Sequence, residues 1–88
     1  MSREWISVDE RLPELNNEDI YEGSKFCFSD HVLVYLREAF WETGSHYVIA
    51  YLELDSYQEQ PSWWNEYGTK LDDYVVAWMP FPEPPEKE

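Results

Sequence analysis

The stretch from His46 to Leu54, HYVIAYLEL, is apolar on both of its alternating sets of positions. Val48, Ala50, Leu52 and Leu54 fall with His46; Tyr47, Ile49 and Tyr51 fall with Glu53. A run rich in β-branched and aromatic residues with apolar groups on both sides predicts a strand with neighbours on both edges and at least partial cover on both faces. We read it as the central strand of a small sheet. Asp30 to Arg37, DHVLVYLR, alternates more simply, with Val32, Val34 and Leu36 on one face and Leu33 and Tyr35 on the other. It predicts a second strand, paired antiparallel with the first across the turn signal Thr43-Gly44-Ser45. Ala39, Phe40 and Trp41 would extend the two strands into their connection. Tyr74 to Met79, YVVAWM, predicts a third strand, closed by Pro80.

The remaining segments pattern less clearly. Trp5 and Ile6 read as a short extended anchor. Ser7-Val8-Asp9-Glu10 fits a capping box, and Pro13 ends that turn almost at once. Arg11, among Asp9, Glu10 and Glu14, reads as local charge compensation. Asn16 to Gly23, NNEDIYEG, offers Asn17 as a helix cap, Glu18 and Asp19 at its positive end and Gly23 as its stop, so it predicts one or two helical turns or an ordered loop. Lys25 to Ser29 is a short aromatic lead into the next strand. Asp55 to Thr69 reads as a long polar connection carrying Trp63-Trp64. Adjacent tryptophans on an extended chain point to opposite faces, so one should anchor to the core and the other should not. The expected fold is α+β, mostly β: three principal antiparallel strands, Val32–Leu36, Tyr47–Leu54 and Tyr74–Met79, with a minor N-terminal extended piece. One short helix or helical turn precedes them and a proline-rich exit follows.

Length makes this one domain, residues 1–88, with loose ends at 1–3 and 86–88. The core relies on aromatics, five Trp, seven Tyr and four Phe, since the single cysteine, Cys27, excludes an internal disulfide. Between Phe26 and Phe28 that thiol reads as a small apolar residue of a reducing compartment. The net charge of −13, from 19 acidic and six basic residues, repels bare phosphate backbones and argues against direct nucleic-acid binding. No apolar run follows the arginine of MSREWIS as in a signal peptide, and no window is apolar enough for a membrane span. A soluble, cytoplasmic protein is the expectation.

Two motifs frame the chain. Trp5-Ile6-Ser7-Val8 with Arg11-Leu12-Pro13-Glu14 opens it, and Trp78-Met79-Pro80-Phe81-Pro82-Glu83-Pro84-Pro85 closes it. With the VLVY and AYLE strands between them, the chain resembles the domain-of-unknown-function 551 (DUF551) family, met in tailed phages, prophages and enteric bacteria. The segments around Trp41 and from Asp55 to Asp73 fall outside the shared pattern. Ala77 stands where members often carry a His, so no ligand role for that His transfers. The resemblance implies a phage or prophage context and no activity. Physically, the motifs read as a clasp: Trp5 and Trp78 against one sheet face, with the PFPEPP segment over the N-terminal turn.

Signatures of chemistry are sparse. Gly23, Gly44 and Gly68 build no phosphate-binding loop. His31 and His46, with Asp30, could hold a metal only in some strand registers, and read as solvated or capping residues flanking strands. Ser29, Asp30 and His31 are sequence neighbours that point apart, which argues against a triad. Glu53 and Asp55 share a strand face, which could raise a pKa, yet such pairs arise by chance in an acidic chain. Neither a catalytic centre, a cofactor nor a metal is expected.

The expected function is therefore non-enzymatic: an accessory protein of phage or prophage origin that binds an unidentified protein through an acidic surface and loop aromatics. The candidate residues are Trp41, Trp63, Trp64, Tyr67, Glu53, Asp55, Glu59, Asp72 and Asp73. The alternative is an acidic mimic of DNA or RNA, with Glu18, Asp19 and Glu22 joining those acids, that occupies a basic nucleic-acid-binding protein. A hydrolase, or a sugar-binding module stacking on Trp63-Trp64, is the more distant alternative. An exposed sheet edge would invite a homodimer.

Overall fold

β5, Tyr47–Asp55, is the spine on which the other strands are hung. The structure, a computed structural model, describes residues 5–81. Along one edge of β5 lie β3, Ser24–Phe28, and β4, Val32–Leu36, end to end. The other edge carries β6, Ser62–Asn65: Ala50 pairs with both Val32 and Asn65, and Glu53 with both Phe28 and Ser62. On the far side of β3 and β4 lie β2, Asn17–Tyr21, and β7, Val75–Pro80. The two-residue β1, Ile6–Ser7, pairs with β7. The result is one curled, all-antiparallel sheet of seven strands. Among the described residues there is no helix, and so none long and apolar enough to cross a membrane.

β3 and β4 behave as one strand interrupted by a bulge. From the pair Phe28–Glu53 to the pair Val32–Ala50, β3–β4 advances one residue more than β5. Ser29 makes this possible. Its N–H donates to the Leu52 carbonyl (2.8 Å), and its hydroxyl accepts the Leu52 N–H (2.9 Å) while donating to the Asp30 carbonyl (2.8 Å). A side-chain oxygen thus replaces the strand carbonyl that the extra residue displaces. Ser29 is 2% exposed. Ser29→Ala would leave the Leu52 N–H buried and unpaired, so urea denaturation should show a loss of about 1–3 kcal/mol.

The core occupies one face of the sheet. Val32, Val34 and Leu36 of β4, Ala50 and Leu52 of β5, Trp63 of β6, and Val75 and Trp78 of β7 meet there with Phe40 and Leu71 from connections. Ile6, Val8, Leu15 and Val48 pack around them. The central strand therefore has neighbours on both edges, as its composition predicts, and the three strands of clearest alternation are present.

Four expectations need correction. Asn16 to Gly23 is no helix: Asn17 begins β2, which forms a hairpin with β3 around the Glu22-Gly23 turn. Both turn residues have positive φ, 51° and 82°, the geometry of the tight turn that suits right-twisted strands. Gly23 thus serves a hairpin where its sequence context suggested a helix stop. The sheet has seven strands where three or four were expected, because β6 and β2 are short and polar at their ends. Phe40 and Trp41 extend no strand: the Phe40 N–H donates to the Ser45 carbonyl (2.8 Å), the ring is buried, and Trp41 points outward.

The last correction concerns the clasp. Ile6 lies opposite Trp78, so its neighbour Trp5 falls on the other face, against Tyr35 and Tyr47 at ring distances of 6.1 and 6.0 Å. Trp78 is buried on the core face, and its indole N–H donates to the Arg11 carbonyl (2.9 Å). The Arg11 guanidinium lies over the same ring (5.5 Å). Ser7 does cap its turn, accepting the Asp9 N–H (3.1 Å). The expected cover by Pro82 to Pro85 lies outside the described residues, as do the loose ends.

Candidate functional site

Among the described residues the second face of the sheet has no opposing layer of secondary structure, and it gathers aromatic rings. Residues directly opposite on paired strands share a face, which places Leu33 with Ile49, Tyr35 with Tyr47, Tyr51 with Trp64, Phe28 with Glu53 and Phe26 with Asp55. All ten are half-buried or exposed. At one end, Trp5, Tyr35, Tyr47 and His46 form a contiguous cluster, with Tyr35 and His46 stacked at 5.3 Å. At the other end, His31 packs on Tyr51 (5.1 Å).

The bulge at Ser29 sets up that second end. Alternation continued unbroken from β4 would send Phe26 and Phe28 to the core face. The extra residue reverses the phase, so Cys27 follows Leu54 toward the core face and the two phenylalanines turn outward. With Tyr21 of β2 and Tyr51 of β5 they wall a groove of about 590 Å³. Three carboxylates, Asp19, Glu53 and Glu66, stand in its lining with His31, and among the described residues no Lys or Arg does. Glu66 also borders the adjoining hollow, where Tyr67 meets Leu33, Tyr47 and Ile49, so the two depressions form one band.

Every Lys and Arg among the described residues is engaged elsewhere. Arg11 lies over Trp78 and Arg37 over Tyr74 (5.8 Å); Lys25 pairs with Glu18 (3.2 Å) and Lys70 with Asp72 (3.6 Å). Among the described residues the carboxylates of the groove therefore have no Lys or Arg counter-charge. Burial, and then the nearby negative charge of Asp55, push the Glu53 carboxyl above the usual glutamate range. Burial and Glu53 likewise push the Tyr51 phenol up.

The sign for stability follows directly. The folded state holds the Glu53 proton more tightly than the unfolded chain, so stability falls as pH rises through the interval above the ordinary glutamate value. Glu53→Gln should raise Tm relative to the parent at about pH 7 and converge with it at about pH 3.5. Thermal melts at the two pH values would check this.

The residues singled out from the sequence divide into three groups. Glu53, Asp55, Trp64 and Tyr67 lie on or beside the outer face. Trp63 does not: it is 5% exposed, packed opposite Leu52 in the core, so it offers no stacking surface and cannot share a sugar with Trp64. Asp72 serves the fold, accepting the Trp63 N–H (2.6 Å) and so occupying the outer edge of β6. Asp55 likewise shapes the turn after β5, accepting the Tyr57 N–H (2.8 Å). Trp41, Glu59 and Asp73 are exposed away from the groove, with Trp41 beside Tyr74 and Lys70.

The segment from Asp55 to Thr69 is more ordered than its composition suggests. The buried Asn65 side chain accepts the N–H groups of Tyr67 (2.9 Å) and Thr69 (2.8 Å), closing a tight turn that returns Leu71 to the Trp63 carbonyl (2.9 Å). This turn presents Glu66 and Tyr67 to the outer face. Sequence reasoning missed Tyr21, Phe26, Phe28, Tyr51 and Glu66. The alternation in SKFCF puts the two Phe residues on one face, but only the bulge says which.

His31 and His46 sit at opposite ends of β4: His31 precedes it, and the His46 ring nitrogen Nδ1 contacts the Leu36 carbonyl (2.7 Å) at its far end. Among the described residues no three His, Cys, Asp or Glu side chains are grouped as metal ligands would be.

No curated protein and no solved structure matches the chain. The family described as "Protein of unknown function (DUF551)" matches over residues 4–86. The opening and closing motifs lie far apart in sequence, yet the structure joins them as β1 on β7 and as the Trp78–Arg11 hydrogen bond. With a match that covers nearly its whole length, the chain belongs to the DUF551 family.

Proposed function

We propose that this protein is a non-enzymatic binding module, an accessory protein of phage or prophage origin, that recognises another protein through the outer face of its sheet. The observation that carries this reading is the band of half-exposed rings from Tyr21 to Tyr47, bordered by Asp19, Glu53 and Glu66 and lacking, among the described residues, any Lys or Arg. Aromatic rings on a rigid sheet bring contact area at low entropic cost, and acidic borders speed capture of a basic partner. Charge mimicry of nucleic acid has weaker support. Glu18 and Asp19 lie on opposite faces of β2, and Glu18 and Asp72 are already paired with lysines.

The test is affinity capture from native-host cells with three baits: the parent, Tyr47→Ala/Tyr67→Ala, and Trp41→Ala. Circular dichroism would establish that each bait is folded. A protein retained by the parent and Trp41→Ala but lost from the double variant supports the reading. Equal capture by all three, or none by any, overturns it. Competition of the captured protein by duplex DNA would instead favour mimicry.

A further inference from the structure

We infer that the groove between β2, β3 and β5 is a receptor for an arginine side chain of the partner protein, stacked on its aromatic walls and paired with its carboxylates. The inference rests on the protein-binding reading and names what that surface takes. Four separate elements converge on the groove. Phe26 and Phe28 of β3 and Tyr51 of β5 supply ring faces, while Asp19 of β2, Glu53 of β5 and Glu66 of the turn after β6 supply negative charge.

This pairing of apolar faces with uncompensated carboxylates selects for a flat cation. A guanidinium stacks on an aromatic ring and presents several N–H donors in its plane to carboxylate oxygens. A neutral side chain would leave the carboxylates desolvated and unpaired, and an anion would be repelled. The protein fills the site with none of its own described basic groups, although Arg11 and Arg37 each lie over a ring elsewhere in the fold. Asp19 keeps one oxygen on the Ile20 N–H (2.9 Å), which orients its carboxylate and leaves the second oxygen for a ligand. Burial, and after it the negative charge of Asp55, raises the proton affinity of Glu53, a shift that a bound cation would oppose.

The probe is the capped peptide Gly-Arg-Gly-Arg-Gly, titrated into nitrogen-15-labelled protein and followed by amide shifts. Its control carries citrulline, the neutral isostere, at both arginines. Saturable shifts are expected at Phe26, Phe28, Tyr51 and Glu53, with Glu42 and Asp73 unmoved. Affinity should fall about tenfold for the citrulline peptide, for Glu53→Gln and for Tyr51→Leu. Tyr51→Leu keeps apolar bulk, and should it unfold, Glu53→Gln and the citrulline control still decide. Shifts spread evenly over acidic residues, equal binding of citrulline, or no saturation would overturn the inference. Loss of a captured partner from the Tyr47→Ala/Tyr67→Ala bait, with no arginine binding, would overturn this inference alone and leave the protein-binding reading standing.

Discussion

Trp78→Ala is expected to remove a large share of the stability of this domain. The indole is 4% exposed and sits between Ile6 of β1 and Val34 of β4, so its loss opens a cavity where the two ends of the chain meet the sheet. Truncating a buried Trp costs about 3–5 kcal/mol. A domain of this size has a total of about 4–13 kcal/mol to lose. The substitution also frees the Arg11 carbonyl, which accepts the indole N–H, and removes the ring beneath the Arg11 guanidinium. Trp78→Phe separates these contributions. It retains most of the apolar contact and loses the hydrogen bond, at a cost of about 1–2 kcal/mol. Urea denaturation of the two variants should show that order, and amide exchange in Trp78→Ala should show Ile6 and Val8 losing protection first.

Trp63→Ala and Trp64→Ala are expected to differ sharply despite adjacent positions. Trp63 faces the core opposite Leu52, and its truncation should cost about 3–5 kcal/mol. Trp64 faces outward opposite Tyr51, and its truncation removes one cross-strand aromatic pair, worth up to about 1 kcal/mol. Melting both variants beside the parent gives the comparison. Equal loss would mean that the outer face is covered as well as the core face. In a capture experiment the two behave differently too: Trp64→Ala remains folded and reports on the surface, whereas Trp63→Ala reports on folding.

How far the outer face was legible depends on the residue. Tyr47, Ile49 and Tyr51 declare themselves by alternation with Val48, Ala50 and Leu52, and Leu33 and Tyr35 do so against Val32, Val34 and Leu36. The partition of Trp63 from Trp64 follows from strand geometry alone, although which ring goes inward does not. Asp72 shows the limit of reading surface from charge. In sequence it is one acid among 19, and in the fold it occupies a backbone N–H on the edge of β6. Phe26 and Phe28 show a different limit. Their phase relative to the core depends on one extra residue after Ser29, and that residue is legible only once Leu52 is known to lie opposite.

The sequence by itself determined the mostly-β class, the three strands of clear period, the central place of Tyr47 to Leu54 and the acidic exterior. Those properties are local, since a two-residue period and a charge count need no partner. Tertiary structure decided the rest. The Glu22-Gly23 segment became a hairpin turn because β3 finds its other edge on β5, and the polar β2 could join only an existing sheet. Trp5 and Trp78 parted to opposite faces because Ile6 pairs with Trp78. The aromatic groove exists because a buried serine hydroxyl lets the sheet skip a residue, and no periodicity within one strand encodes the register of its neighbour.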